Sequence, residues 1–279
     1  MYFTGFSTAL FVLSSGFTTN AFPRAFPFNN PKIFQSSIIS IKDKCVYENN
    51  ALYPENKKII TLSPGGYRGF YMFGICKFLK NNYKLDDYVF SGASAGAWMS
   101  LFLSFRGDIN EIEKYLIDDK LQKLKTINNM ENMLKHKLLL KYKTEDFDLN
   151  KLYVGVTTIH CNHPNTGIFT NFDNLEDAIN SCIASSHIPI ITGGLRNVYQ
   201  NFYTFDGGFS KYPYLNSSKP VVHITPFFWD KIVYSKVDLE TYTTLFSKGE
   251  YNYREMVEQG YLDSFENKEY LDRIFLNDS

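Results

Sequence analysis

The sequence predicts an α/β domain with a central, mostly parallel sheet, and three observations carry that expectation. Short apolar, strand-like runs alternate with longer stretches of helical periodicity, the pattern that buries a parallel sheet beneath helices. Two of those runs end in glycine-rich turns that lead straight into a helical pattern, at 58–79 and at 88–105. Size agrees: 279 residues, 44% of them hydrophobic, suffice for one large core or two smaller ones.

The first 42 residues read as a leader or an N-terminal arm. The apolar stretch from Phe6 to Phe17 has the length of a signal-peptide core and is too short to span a bilayer. Thr19 and Ala21 stand like the small residues of a cleavage site. Residues 22–42 contain no acid and include Ser36, Ser37 and Ser40, as transit peptides do. A secretory or plastid-type destination follows if this is a leader; otherwise the chain is expected to be cytoplasmic and membrane-associated. Residues 43–57 read as a linker, and 58–279 as the folded domain.

Within that domain, Lys58 to Ser63 is β-branched and reads as the first core strand. Pro64-Gly65-Gly66-Tyr67-Arg68-Gly69 turns the chain. Phe70, Phe73, Gly74, Cys76, Phe78 and Leu79 then fall at helical spacing. Tyr88 to Phe90 is the next strand and runs into Gly92-Ala93-Ser94-Ala95-Gly96. A helix follows with Ala97, Trp98, Leu101, Phe102 and Phe105 on its apolar face, read as core. Asp108 reads as a helix N-cap with Glu111 three residues on. Residues 119–150 are Lys-, Leu- and Asn-rich and partly amphipathic, a pattern open to a cap or membrane-facing segment. With acidic residues on either side, it better suits a solvated helix that packs one face on the body. Leu152 to Ile159 and Gly167 to Phe172 read as partner strands, and Leu175 to Ser185 as a helix ended by Ser186-His187-Ile188-Pro189. Val198 to Phe205 alternates as one strand into Asp206-Gly207-Gly208. Val221 to Ile224 is a further strand, and 238–247 and 251–266 are helical.

Composition excludes some functions. Lys plus Arg and Asp plus Glu both number 29, so no net basic field exists to attract nucleic acid. Cys45, Cys76, Cys161 and Cys182 show no C-x-x-C spacing, which argues against a metal site or a disulfide framework. They read as buried thiols, with a Cys161–Cys182 bridge open to a secreted chain.

The chemistry concentrates at three turns. G-x-S-x-G has the spacing of a nucleophile elbow, in which a strained strand-to-helix turn holds a serine hydroxyl clear of the backbone. Gly92 and Gly96 make room for that turn around Ser94. The following helix directs its positive end at the serine. Gly65 and Gly66 offer backbone N–H groups unobstructed by side chains, the donors that stabilise a tetrahedral oxyanion. Arg68 either holds that loop or adds positive potential. Asp206 is placed to accept the serine proton, with Gly207 and Gly208 permitting close approach. In a parallel sheet, sites form where strands end, so the three turns are expected to lie together.

In that order, PGGYRG, GASAG, SCIASSHIPI and DGG resemble the patatin-like phospholipase family over roughly residues 58–265. The resemblance implies a three-layer α/β/α fold and a lipid acyl hydrolase that needs neither metal nor cofactor. It implies a Ser94–Asp206 dyad, an oxyanion role for Gly65, Gly66, Arg68 and Gly69, a phospholipid or other acyl-lipid substrate, and peripheral membrane contact. One departure stands out: Pro64 occupies a position where the family has glycine, which removes an N–H.

Other readings of the same residues are weaker. PGGYRG alone is a plain turn or a poor dinucleotide fingerprint, with Asp86 and Asp87 near the ribose-binding position. DGG alone is a β-turn. A histidine-dependent esterase would draw on His223, the histidine that follows the acid in the chain. His223 lies inside an apolar strand and suits the core better; His187 is given at most a minor part. A silent relative that binds lipid or a partner protein is the remaining alternative, opposed by the intact serine and aspartate.

Overall fold

The computed structural model describes residues 45–47, 57–160, 163–215, 221–230, 245 and 251–276, all within one compact unit that begins at Lys44. The leader reading of 1–42 and the helix expected at 238–247, apart from Leu245, fall outside the described residues.

The strands are β1 (Cys45–Tyr47), β2 (Lys58–Leu62), β3 (Tyr88–Ala93), β4 (Leu152–His160), β5 (His163–Phe169), β6 (Asn197–Tyr199), β7 (Phe202–Phe205) and β8 (Val222–Ile224). Their order across the sheet is β1-β5-β4-β3-β2-β8, with β7 also on β4 and β6 on β7. β8, β2, β3 and β4 run parallel; β5, β1, β7 and β6 are joined antiparallel. This is the expected mixed, mostly parallel sheet flanked by helices, consistent with a patatin-like α/β/α fold. β1 lies within the stretch read as a linker, where Cys45 to Tyr47 pair with Phe169 to Gly167 along the edge.

β2 and β3 are buried on both faces, which is why they read as apolar runs rather than as clean alternation. Ile59, Val89, Tyr153 and Ile168 cluster with Leu215. Ile60, Leu62 and Phe90 point the other way by the two-residue period of a strand, and each is at most 1% exposed.

The helices are α1 (Gly69–Asn82), α2 (Ala95–Ser104), α3 (Ile109–Leu116), α4 (Asp119–Gln122), α5 (Ile127–Lys141), α6 (Leu175–Ser185), α7 (Tyr253–Glu266) and α8 (Lys268–Phe275). Asp108 caps α3, accepting from the Asn110 N–H. α5 carries the amphipathic stretch and packs on the body, burying Ile127, Met130, Leu134 and Leu138 at helical spacing. Cys76 and Cys182 are buried free thiols. No helix among the described residues is long and apolar enough to cross a membrane.

One element differs from the sequence reading in a way that matters for the site. Val198 to Phe205 is a tight hairpin, not a single strand. Gln200 and Asn201 both take positive φ, 49° and 65°, the conformation of a two-residue turn that matches strand twist. Neither residue is glycine, so the turn left little mark in the sequence.

Candidate active site

Ser94 sits where β3 becomes α2. Its φ of 54° and ψ of −125° place it in backbone space that non-glycine residues avoid. The surroundings enforce that conformation. The Ser94 N–H donates to Ser185 Oγ at 2.7 Å, and the Ser185 hydroxyl donates to the Gly155 carbonyl at 2.6 Å, tying the elbow to α6 and β4. A side chain at position 96 would stand 2.0 Å from the Leu62 carbonyl oxygen, so only glycine lets α2 cross the end of β2.

Asp206 reaches Ser94 from the opposite direction. β4 outruns β3: β3 pairs with it as far as Gly155, and β7 pairs with it from Thr157 to Ile159. β5 occupies the other edge of β4, so β7 lies in line beyond β3 and antiparallel to β4. The end of β7 therefore faces the end of β3. Asp206 thus follows an antiparallel strand, whereas the parallel-sheet argument would have it follow a parallel one. Gly207 seals the junction, because a Cβ there would meet the Gly155 carbonyl oxygen at 2.3 Å and the Ala93 side chain at 2.7 Å.

The Ser94 hydroxyl donates to Asp206 Oδ2 at 2.6 Å, and the Gly208 N–H donates to Oδ1 at 2.7 Å. The aspartate backbone is held as well: its N–H donates to the His187 carbonyl at 2.7 Å, and its carbonyl accepts from Thr157 Oγ1 at 2.9 Å. Both side chains are buried, Ser94 at 4% exposure and Asp206 at 5%. Burial pushes the Asp206 carboxyl up to about 6; the bonds from Ser94 and Gly208 hold it back from rising further.

Around this pair lies an apolar cavity walled by Phe70, Phe73, Met99, Phe102 and Leu134 among others. Trp98 and Phe102 are buried, as expected of core residues, and they also form pocket wall. One further carboxyl lines the cavity, Glu131 of α5, at 3% exposure. Trp98 Nε1 donates to it at 3.3 Å. Burial drives this carboxyl to about 8, against bonds from Ser186 and Trp98 that lower it, with the negative Asp206 adding to the rise.

The first glycine turn divides on inspection. The Arg68 N–H donates to the Gly65 carbonyl, and the Gly69 N–H to the carbonyls of Gly66 and Tyr67. Those two donors are committed to a helical turn. The N–H groups of Gly65 and Gly66 meet no acceptor among the described residues, and neither does that of Ala95 at the open start of α2, where the first bond is Ala97 to Ser94. Gly66, Gly69 and Ala95 line the cavity. Arg68 turns away: its guanidinium pairs with Asp230 at 3.1 Å and lies 4.4 Å over the Phe227 ring. Of the two parts offered for Arg68, holding the loop is the one its contacts serve. Pro64 stands over Gly208, 3.1 Å from where a Cβ would be, and so packs the first turn onto the third.

Residues 60–215, more than half the chain, match the family model for patatin-like phospholipase. The chain belongs to this family. Its members are lipid acyl hydrolases. No curated protein matches the chain.

No histidine side chain among the described residues bonds to Ser94 or Asp206. The His223 ring packs against β2, with Nδ1 bonded to Thr61 Oγ1 at 2.8 Å and its pKa lowered by burial, while part of the side chain reaches solvent. His187 is buried, which lowers its pKa, and it touches the dyad through its backbone carbonyl alone. Among the described residues no group of three His, Cys, Asp or Glu side chains is placed to hold a metal ion. Sequence reasoning missed Thr157, Ser185 and Glu131. Ser185 lies inside the SCIASSH segment that carried the resemblance, but nothing in its local pattern marks it as the partner of the elbow.

Proposed function

We propose that this patatin-like protein is a serine carboxylic-ester hydrolase that cleaves acyl lipids through Ser94 and Asp206. The observation that carries this reading is the 2.6 Å bond from the Ser94 hydroxyl to the buried Asp206 carboxylate, at the wall of an apolar cavity. Serine needs a base to become a nucleophile, and a carboxyl at about 6 is ionised at neutral pH yet basic enough to accept a proton.

In this mechanism Ser94 Oγ attacks the ester carbonyl and its proton passes to Asp206. The developing oxyanion is received by the uncommitted N–H groups of Gly65, Gly66 and Ala95, with the start of α2 adding positive potential. Collapse of the tetrahedral species expels the alcohol, which takes the proton from Asp206. Water, deprotonated by Asp206, then attacks the acyl-enzyme, and the acyl–Oγ bond breaks to release the fatty acid as Asp206 returns that proton to Ser94 Oγ. The Arg68–Asp230 pair keeps the first turn in place. The lipid is met at a membrane surface, since a long acyl chain is scarcely soluble as a monomer.

The test uses a mixed phospholipid extract and mass spectrometry of the released acids and lysolipids. The wild-type protein should release both and be labelled at Ser94 by a fluorophosphonate. Ser94→Ala should lose turnover by about 10³-fold or more while keeping its fold. Turnover that survives Ser94→Ala would reject the nucleophile. Absence of both labelling and release would favour a silent lipid-binding relative.

A further inference from the structure

We infer that the loop and hairpin of residues 188–203 form the surface by which this protein docks on a lipid bilayer, next to the wall of the Ser94 cavity. This deepens the acyl-lipid reading and rests on it for the choice of partner.

The segment gathers exposed apolar side chains. Ile190, Ile191, Leu195, Val198 and Tyr203 are 75%, 52%, 66%, 58% and 48% exposed, all within fourteen residues of sequence. Val198 and Tyr203 are register partners across the hairpin, so they present one continuous outward face. An exposed apolar cluster of this kind marks an interaction surface more often than chance. The backbone is held to produce it. Ile190 adopts φ 71°, a left-handed conformation that β-branched residues rarely take. Thr192 braces the loop, accepting from the Ile188 N–H at 2.7 Å and donating to the Ser186 carbonyl at 3.0 Å.

Charge selects the partner. Residues 178–205 contain no Asp or Glu and one cation, Arg196, in a chain with 29 acidic residues. Arg196 is exposed and lies 5.7 Å from the Tyr203 ring centroid. Asp177, a carboxylate beside the hairpin turn, is taken up by Tyr199 Oη and Gln200 Nε2. Apolar side chains, an aromatic with a polar tip, one cation and no acid match the layers of a membrane interface with anionic headgroups.

Position links the surface to the chemistry. Thr192 and Ser186 line the cavity, and the same segment ends at Asp206. Ile190 and Ile191 flank Thr192 in sequence and point to solvent. A bilayer touching them lies one or two residues of chain from the cavity wall at Thr192.

The experiment measures binding apart from catalysis. Ser94→Ala protein is sedimented with vesicles of phosphatidylcholine and phosphatidylglycerol, alone and with Ile190→Asp plus Ile191→Asp. The parent should bind, and the double substitution should weaken binding by about 100-fold or more, given the transfer free energy of two isoleucines. Phe265→Asp, an equally drastic change at a 62% exposed site on α7, should leave binding intact. In the active protein, the Ile190/Ile191 substitutions should cut hydrolysis of vesicle phospholipid and spare a soluble p-nitrophenyl butyrate. Parent protein that ignores vesicles, or variant protein that binds them unchanged, overturns the docking surface. So does conversion of a dimer to monomer by the substitutions without loss of vesicle binding, which would assign the face to a second copy. Vesicle binding without any ester hydrolysis would instead sink the catalytic reading and leave docking standing.

Discussion

Two carboxyl groups are buried against the same cavity, and their surroundings differ. Asp206 accepts a serine hydroxyl and a backbone N–H, one on each oxygen, and its pKa reaches about 6. Glu131 has the Trp98 indole and a bond from Ser186, with no cation against it among the described residues, and its pKa reaches about 8. At neutral pH the first is an anion able to take a proton, and the second is a neutral acid. Both lie in an apolar interior; the donors aimed at each oxygen separate them. A second anion at Glu131 would oppose the negative charge that develops on a tetrahedral intermediate. Its protonated state therefore suits the reaction proposed for its neighbour.

The largest effect should come from abolishing the difference at its anionic end. Asp206→Asn is expected to lower turnover by about 10³-fold or more and, in the same protein, to raise stability at pH 8. Folding lifts this carboxyl from 3.8 to about 6, so the folded chain binds the proton more tightly than the unfolded one. Stability from this group is fully present below 3.8, is lost as pH rises to about 6, and stays lost above. The advantage of Asn should be roughly 3 kcal/mol at pH 8 and vanish near pH 4. Urea melts at the two pH values read it directly; an Asn variant less stable at pH 8 would contradict the burial argument.

Next in size is the acid limb of activity. kcat/KM on a soluble ester should fall about tenfold per pH unit below about 6, as Asp206 takes up its proton. A flat profile down to pH 4 would remove Asp206 as the base.

Smaller effects belong to the other carboxyl. Glu131→Gln should leave kcat near wild type at pH 6.5, because it replaces one neutral group by another. Above about 8 the wild type should decline as Glu131 ionises, and the Gln variant should not. Identical alkaline limbs in the two proteins would show that Glu131 does not report on the site. Smallest of all is Trp98→Phe. The indole donor lowers the Glu131 pKa, so its loss should move the alkaline limb upward by a fraction of a pH unit. A downward shift would place the indole in some other role.

The parts of the fold that follow local rules were legible in the chain. Strand–glycine turn–helix units at 58–79 and 88–105 appear where periodicity placed them, because apolar spacing and glycine are local properties. The hairpin at 197–205 was not, since its turn uses Gln200 and Asn201 in a conformation their identities do not advertise. The cavity wall was read as plain core for a related reason: an apolar helix face looks the same whether a helix or an empty cavity lies against it. Glu131 was lost inside a Lys- and Leu-rich stretch, one acid among neighbours that reach water.

What the amino-acid sequence determined by itself was the chemistry carried by each turn: a serine in an elbow that glycines permit, bare N–H groups after β2, and an aspartate with two glycines behind it. Tertiary structure alone decided that β4 outlasts β3, that β7 fills the space beyond, and that a carboxylate 112 residues away in sequence meets the Ser94 hydroxyl. Strand pairing and burial act between distant segments. The pairing partner of a strand, and the dielectric around a carboxyl, exist only once those segments have packed.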